Sequence, residues 1–345
     1  MIYIIGSRGI PARYGGFETL AQQLQKGLCT EGLEVVVLGT RDTEVSRSIA
    51  GRLVALSAFA FLETPLLTWA FRPKVTQEDV VIVLNPINVL TAKLLRRHGA
   101  RVHLHLDGME HLRRKWGRVA RFAHRTARRI AANSDLELLV DSKAIGRIFM
   151  DEFGIPTTFV PYGGCEIAES DVGHRWTKNR SGYYLVVARP EPENNILEIC
   201  NAFINSGSDL LLKVVGAPQH PTKYWRSIQE LAEQHPAIQL LGSVWDRAML
   251  CDLICNTAGY IHGHSVGGTN PILVDVLSHQ TPTFAHDNPF NRELDEGQLT
   301  FWKSEFELAA LLARHHESQV DVRQSNSLPT WSSVILTYLQ LVSAR

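Results

Sequence analysis

The stretch GYIHGHSVGGTNPILVDV, residues 259–276, moves from an apolar lead-in through two histidines, a serine and a glycine pair into Thr-Asn-Pro, then into a helical pattern carrying Asp275. An apolar run stopped by glycines and restarted at helical spacing is a strand-to-helix junction, the repeating unit of an α/β protein. Three readings of the junction are open: backbone amides that hold an anion, a metal held by His262 and His264, or a tight turn. The two histidines fall on one face of the strand by alternation. With His279 or His286 they would complete a zinc site, but their spacing matches no zinc pattern, so no metal is expected.

The same rhythm extends in both directions. Upstream, IYIIG (2–6), EVVVLG (34–39), DVVIVL (79–84), RVHLHLDG (101–108), ELLVDS (137–142) and TFVPYG (158–163) are apolar or β-branched runs, each ended by a turn and most followed by helical spacing such as ETLAQQLQKGL (18–28). The pattern weakens after Gly164 and restarts with YYLVVAR (183–189), LLLKVVG (210–216), IQLLGS (238–243), AGYIHGH (258–264) and TPTFAHD (281–287). Apolar runs without clean alternation suit strands buried on both faces, hence parallel sheets. The expectation is two doubly wound, Rossmann-like α/β domains, 1–164 and 165–345, facing across a cleft, with a last helix at 330–345 that could pack back on the first domain. Ligands in such sheets sit beyond the carboxyl ends of the strands, so the loops there are where chemistry is sought.

Bulk properties bound the function. The 345 residues are 45% hydrophobic and 20% charged, and 35 basic residues balance 35 acidic ones. Zero net charge argues against a bulk nucleic-acid binder. Five scattered cysteines without a CxxC pair fit reduced thiols, and Met1 runs straight into a strand with no basic leader, so a cytoplasmic protein is expected. The most apolar segment, LVALSAFAFLETPLLTWAF (53–71), carries Glu63 and Pro65 in its middle and reads as a buried or interfacial helix pair rather than a membrane span.

Three loops carry candidate chemistry. GSRGIPARYGGFE (6–18) is neither GxGxxG nor a Walker loop, yet Gly15 and Gly16 precede a helix whose amides and positive end favour a phosphate; a plain turn is the alternative. In VARPEPENN (187–195), Arg189 at a strand end would hold a phosphate or carboxylate in its fork, or pair with Glu191. In the opening stretch, Gly267, Gly268, Thr269 and Asn270 lie at a helix start, with Pro271 suited to its first turn. Asp275, one turn further in, could accept hydrogen bonds from vicinal sugar hydroxyls.

GIPARYGGFE (9–18), VARPEPENN (187–195), GHSVGGTNP (263–271) and AHDNPFNRE (285–293), taken together and in order, resemble the retaining GT-B glycosyltransferases of family 4. DGMEHLRRKWGR (107–118) further resembles the bacterial branch that includes rhamnosyltransferases of polysaccharide and antibiotic assembly. The resemblance implies a nucleotide sugar bound mainly by the second domain, with the acceptor on the first. Arg189 would contact the donor diphosphate, Gly15 and Gly16 would approach it from the other domain, and Gly267, Gly268, Thr269 and Asn270 would supply further phosphate contacts. Asp275 would stand where the family's E-x7-E element has its ribose-binding second glutamate. Two departures accompany this. Many members carry a diphosphate-binding lysine where this chain has Asn194, and the first glutamate of the element falls near Gly267, with His264 the nearest polar candidate.

The mechanism so implied is transfer of a hexose, or a deoxyhexose such as rhamnose, with retained configuration, from a dTDP-, UDP- or GDP-sugar to a saccharide, lipid-linked or natural-product acceptor. Arg189 and backbone amides would take the leaving-group charge without metal or other cofactor. His264 and Asp107 are the remaining catalytic candidates; Asp107 would orient acceptor or sugar, or merely shape a turn. Residues 113–129 gather eight Lys/Arg, Trp116 and Phe122 with no acid, the composition of a helix that rests on an anionic membrane face or of a solvated surface. A nucleotide-sugar 2-epimerase of the same architecture and a non-catalytic nucleotide-sugar-binding subunit are the rivals. A dinucleotide oxidoreductase would need the missing GxGxxG.

Overall fold

The computed structural model describes residues 1–12, 15–39, 61–106, 108–164, 181–218, 220–315 and 328–344. These residues form two compact units. The first comprises Met1–Tyr162, Gly267–Thr269 and Trp331–Arg345, and the second Gly163–Val266 and Asn270–Thr330.

Among the described residues the first unit is built on a six-stranded sheet: β1 (Ile2–Ile5), β2 (Val35–Leu38), β3 (Val80–Leu84), β4 (Arg101–His105), β5 (Glu137–Val140) and β6 (Thr158–Phe159). The order is β2-β1-β3-β4-β5-β6, with every pairing parallel. All five residues of β3 are buried, as a parallel strand covered on both faces requires. Its helices include α1 (Gly16–Thr30), α2 (Glu63–Ala70), α3 (Val89–Arg97), α4 (Arg118–Ala132) and α5 (Lys143–Phe153). Leu20, Leu24 and Leu28 recur at helical spacing along α1 and pack with Ile2, Ile4, Ile82 and Leu84. The last helix, Trp331–Ser343, joins the same core through Val334 and Tyr338. It lies so close to α1 that a Cβ on Gly27 would stand 2.0 Å from Ile335 Cδ1. Of the apolar segment 53–71, residues 53–60 lie outside the described residues. The rest begins α2, whose first turn holds Pro65. No described helix is long and apolar enough to cross a membrane.

The second unit carries β7 (Ser181–Val187), β8 (Leu211–Val215), β9 (Ile238–Gly242), β10 (Thr257–His262), β11 (Thr283–His286) and β12 (Leu299–Trp302), again parallel, in the order β12-β11-β10-β7-β8-β9. Successive tyrosines on β7 serve opposite faces. Tyr184 packs with Ile199, Phe203, Phe284 and Trp302, whereas Tyr183 packs with Leu250, Ile254 and Leu277. Among the described residues its helices are α6 (Ile196–Ser206), α7 (Lys223–Gln234), α8 (Arg247–Cys255), α9 (Pro271–Ser278), α10 (Pro289–Arg292) and α11 (Glu305–His315). The expected two doubly wound α/β domains are present. The edge strand β12 is an addition that the sequence pattern had not shown.

Candidate functional site

The strand order of the second unit contains the reversal beside which ligands of such sheets bind. From β7 the chain winds through β8 to β9 on one side, then returns to β10 on the other flank of β7 and continues outward to β11 and β12. That reversal makes the carboxyl ends of β7 and β10 the topological switch point, the place where ligands of such sheets bind. The loop after β7 holds Arg189 to Asn195, and the loop after β10 holds Gly263 to Val266.

These loops are bonded to each other. Ser265 donates from its backbone N–H and from its hydroxyl to the Glu193 carbonyl, both at 2.9 Å. The Asn195 amide donates to the Gly263 carbonyl at 2.7 Å. Asn194, buried, donates from Nδ2 to the Arg189 carbonyl at 2.8 Å, and its Oδ1 lies 2.9 Å from Nδ1 of the buried His264. From the β11 side, Asn288 and Asn291 both donate to the His264 carbonyl, at 2.8 and 3.0 Å. Gly263 has to be glycine, since a Cβ there would stand 2.1 Å from the Asn194 carbonyl oxygen. A web of neutral amides thus fixes the backbone at the switch point, giving a rigid platform of the kind a precise binding site needs.

Arg189 leaves the end of β7 and pairs with Glu191, Nη1 to Oε1 3.2 Å. Both readings of this arginine therefore stay open: the ion pair engages the guanidinium, and about a third of the side chain is exposed. His262, the last residue of β10, is fully enclosed. Burial, reinforced by nearby His286, pushes its imidazole down to about 3, so it is neutral at ordinary pH. Its ring lies beside those of Tyr260 and His264, at centroid separations of 5.8 and 6.0 Å. Among the described residues no three His, Cys, Asp or Glu side chains converge as metal ligands.

The start of α9 is less open than its sequence suggests. Pro271 has no N–H, the Ile272 N–H bonds the Asn270 side chain at 3.0 Å, and the Leu273 N–H bonds the Asn270 carbonyl at 3.0 Å. The first-turn amides are satisfied within the chain, so for an anion the helix offers its dipole, and the amides of Gly267 and Gly268 are the backbone candidates. Gly267 sits at φ 147°, a conformation that disfavours a side chain. Gly267, Gly268 and Thr269 group with the first unit, where the Thr269 hydroxyl donates to the Asp141 carbonyl at 2.8 Å. Asp275 is buried and takes a two-pronged bond from Arg247, Nη1 to Oδ2 2.9 Å and Nη2 to Oδ1 3.0 Å. Its expected free acceptor role is thus shared with a cation that sequence reasoning missed, because Arg247 comes from α8, 28 positions away.

In the first unit Gly15 caps α1 in an extended conformation, φ −170°, and Gly16 is the first helical residue. A Cβ on Gly15 would meet nothing nearer than the Glu18 carboxylate at 3.6 Å, so local packing does not demand glycine there. Glu18, buried in that first turn, accepts from the Arg8 N–H at 2.9 Å. Asp107 lies outside the described residues. Glu110, beyond it, is bonded by Arg113 at 2.9 Å and by the Trp116 indole. Burial would raise its carboxyl pKa, but Arg113, Lys115 and Trp116 outweigh that and hold it well below the usual carboxylate range.

Comparison with known proteins agrees with this architecture. Residues 1–54 match a family model described as a domain of unknown function, DUF1972. No curated protein sequence matches the chain. Among solved structures, the UDP-forming α,α-trehalose-phosphate synthase of Burkholderia xenovorans, in complex with glucose-6-phosphate, is similar with TM-score 0.72 and 14% identity, covering 99% of this chain and 100% of that one. Anabaena HepE in complex with UDP gives TM-score 0.62 and 14% identity over 99% of this chain and 94% of the other. The pneumococcal O-GlcNAc transferase GtfA, with UDP and GlcNAc, gives TM-score 0.57 and 12% identity over 85% of this chain and 59% of that one. At such identities the likeness speaks for the fold, and the chain has the two-unit α/β fold of the GT-B glycosyltransferases.

Proposed function

We infer that the protein is a glycosyltransferase that takes a sugar from a nucleoside diphosphate donor. The observation that carries this reading is the switch point of the second unit, where Arg189 at the end of β7 stands against the amide web that ties the loops after β7 and β10 together. The fold neighbours support it, since the trehalose-phosphate synthase is UDP-forming and HepE and GtfA were crystallised with UDP.

The finer reading follows the chemistry. Departure of a nucleoside diphosphate builds negative charge, which Arg189 and the amides of Gly267 and Gly268 would stabilise. Gly15 and Gly16 would leave room for the same phosphates from the first unit, with Thr269 and Asn270 holding the loop rather than binding through their side chains. No metal is invoked, the leaving phosphate would accept the acceptor proton, and configuration would be retained. Asp275, gripped by Arg247, would meet the ribose as one half of an ion pair. The donor would be a hexose or deoxyhexose such as rhamnose on dTDP, with UDP- and GDP-sugars behind it. The acceptor would be a saccharide, a lipid-linked sugar or a natural product, oriented by Asp107.

A membrane-borne acceptor fits one surface of α4. Of the eight cations in 113–129, Arg113 and Lys115 face Glu110, while Arg128 is buried against Glu152 at 3.1 Å and over the Phe149 ring at 4.7 Å. The exposed remainder, Arg114, Arg118, Arg121, Arg125 and Arg129, surrounds Val119 and Phe122, which are 64% and 69% exposed. Large apolar side chains among arginines are what an anionic membrane face attracts.

The deciding experiment is a thermal-shift and calorimetric screen of dTDP, UDP, GDP and NAD, with EDTA present, on wild type and Arg189→Ala. One nucleoside diphosphate should bind, at least tenfold more weakly to the variant, as expected for loss of a charge-assisted contact of about 1.5–3 kcal/mol. Silence from every diphosphate, or a response to NAD alone, refutes the transferase. Binding with no turnover on any acceptor would leave a nucleotide-sugar-binding subunit.

A further inference from the structure

The segment that leads from β4 to α4 is held down by a bond that only one protonation state of a histidine can make. In the short turn Glu110–Leu112, the buried His111 places Nε2 3.1 Å from Arg128 Nη1 on α4. A guanidinium donates and cannot accept, so Nε2 is the acceptor, the ring is neutral and its hydrogen sits on Nδ1. Arg128 is itself anchored. It is buried over the rings of Phe149 and Phe153, at 4.7 and 5.7 Å, and paired with Glu152 of α5 at 3.1 Å. A second buried histidine, His124, stands one turn earlier on the same helix. Its ring lies 5.7 Å from that of Trp116, in the same segment, and 6.5 Å from that of Phe61.

We propose that His111 and Arg128 form an acid-released clasp on residues 108–117. Protonation of His111 sets two cations at hydrogen-bond distance in a buried place, and because α5 anchors Arg128, the segment is the part that gives way. The surroundings supply little charge to relieve that conflict. From α4, Arg125, Arg128 and His124 all oppose a positive His111. From α5 comes Glu152, already paired with Arg128, and α3, packed on the same helix, carries the cations Lys93, Arg96 and Arg97. The turn Pro86–Asn88 against α4 has no titratable group. Glu110 favours the charged ring, but its carboxylate is engaged by Arg113, Lys115 and the Trp116 indole. Burial and the neighbouring cations push the His111 imidazole down to about 4, and burial lowers His124 in the same direction. A docked segment thus refuses a proton that a released one, with His111 at its ordinary 6.5, accepts. Docking is undiminished above about pH 6.5 and weakens as pH falls toward 4, by roughly tenfold per pH unit and about 300-fold in all through His111. The segment begins just past the carboxyl end of β4, the end of such sheets at which ligands bind, so its release in acid withdraws part of that end. The clasp itself does not depend on the donor reading.

The test follows amide deuterium exchange of peptides covering 108–118 between pH 7 and pH 4, corrected for intrinsic exchange rates, in wild type and His111→Gln. The Leu112, Arg113 and Trp116 amides, hydrogen-bonded within the segment, supply the signal. Glutamine offers Oε1 to Arg128 at a similar reach but takes no proton. Peptides of β3, in the same unit, report global opening. In wild type the segment should lose protection by at least about thirtyfold before β3 changes. At pH 4 His111→Gln should remain at least about tenfold better protected than wild type, the rest of the loss belonging to His124. Equal acid loss in the two proteins, no loss in wild type, or loss in step with β3 overturns the clasp. Should the variant fail to fold, nitrogen spectra of the wild-type histidines decide. His111 should stay neutral, with its hydrogen on Nδ1, down to about pH 4, and titration near 6.5 or an Nε2–H form overturns the clasp as well.

Discussion

The neutral state of His262 makes a quantitative prediction about acid. Its ring is enclosed at the end of β10, and burial, with His286 close by, lowers its pKa from 6.5 to about 3. In the unfolded chain the same imidazole returns to its ordinary value, so between these limits the unfolded state binds a proton that the folded state refuses. Stability therefore rises with pH across this window. The contribution is complete above about pH 6.5 and is lost as pH falls toward 3. At about 1.4 kcal/mol per pH unit, acidification from pH 7 to pH 4 removes about 3 kcal/mol through this residue. His262→Phe fills a similar space, abolishes the titration and should lose about 3 kcal/mol less than wild type over the same change, although Tyr260 forfeits a hydroxyl contact at every pH. Because the chain has two units, the assay should see this sheet alone. Native-state hydrogen exchange of the Tyr260 and Ile261 amides, at urea concentrations below the main transition, does so. A variant as acid-sensitive as wild type, within about 1 kcal/mol, or a nitrogen titration placing His262 near 6.5, would refute the reasoning.

Other perturbations test the rest of the site. Gly263→Ala forces a Cβ to within 2.1 Å of the Asn194 carbonyl, so it should destabilise the second unit by about 2–3 kcal/mol and abolish nucleotide binding; Gly117→Ala, with no atom within 4 Å, is the control in thermal melts. Arg247→Ala strips the two-pronged partner from buried Asp275. Since Arg247 itself is nearly half exposed, a loss of about 1–2 kcal/mol is expected in urea titrations, with Arg247→Lys restoring only part because an ammonium cannot fork. Wild-type protein should sediment with phosphatidylglycerol vesicles at low salt but not with phosphatidylcholine. Replacement of Arg118, Arg121 and Arg125 by Gln should leave it in the supernatant, each arginine contributing about 1 kcal/mol.

The strands were legible because parallel, doubly buried strands must be nearly continuous apolar runs, and β3 and β10 are written that way. β12 was not, because LTFW is four residues long and only Trp302 is buried, too little pattern to separate from a loop. Arg189 was legible as a strand-end cation and its Glu191 partner as a near neighbour. What could not be read were bonds between distant loops. Asn194 looked like the loss of a useful lysine, yet its side chain ties Arg189 to His264. The Asn-Pro start of α9 was a correct helix signal but an ambiguous ligand signal, since an anion site and a self-satisfied cap share the same residues, and only the geometry of Asn270 Oδ1 against the Ile272 N–H tells them apart.

The place of the last helix has a consequence for how the molecule comes into being. Trp331–Ser343 supplies Val334 and Tyr338 to the core that α1 and β1 begin, against a glycine left bare for Ile335. A nascent chain halted near residue 164 would leave the side of α1 around Gly27, where Ile335 seats, open to water. The first unit to be translated is thus the last to be finished, and must wait through synthesis of the whole second sheet before its surface can close. Such a chain has an interval of exposed apolar helix during which chaperone capture competes with aggregation. Fragments designed to study the first unit will need residues 331–343 returned to them, by a linker or in trans.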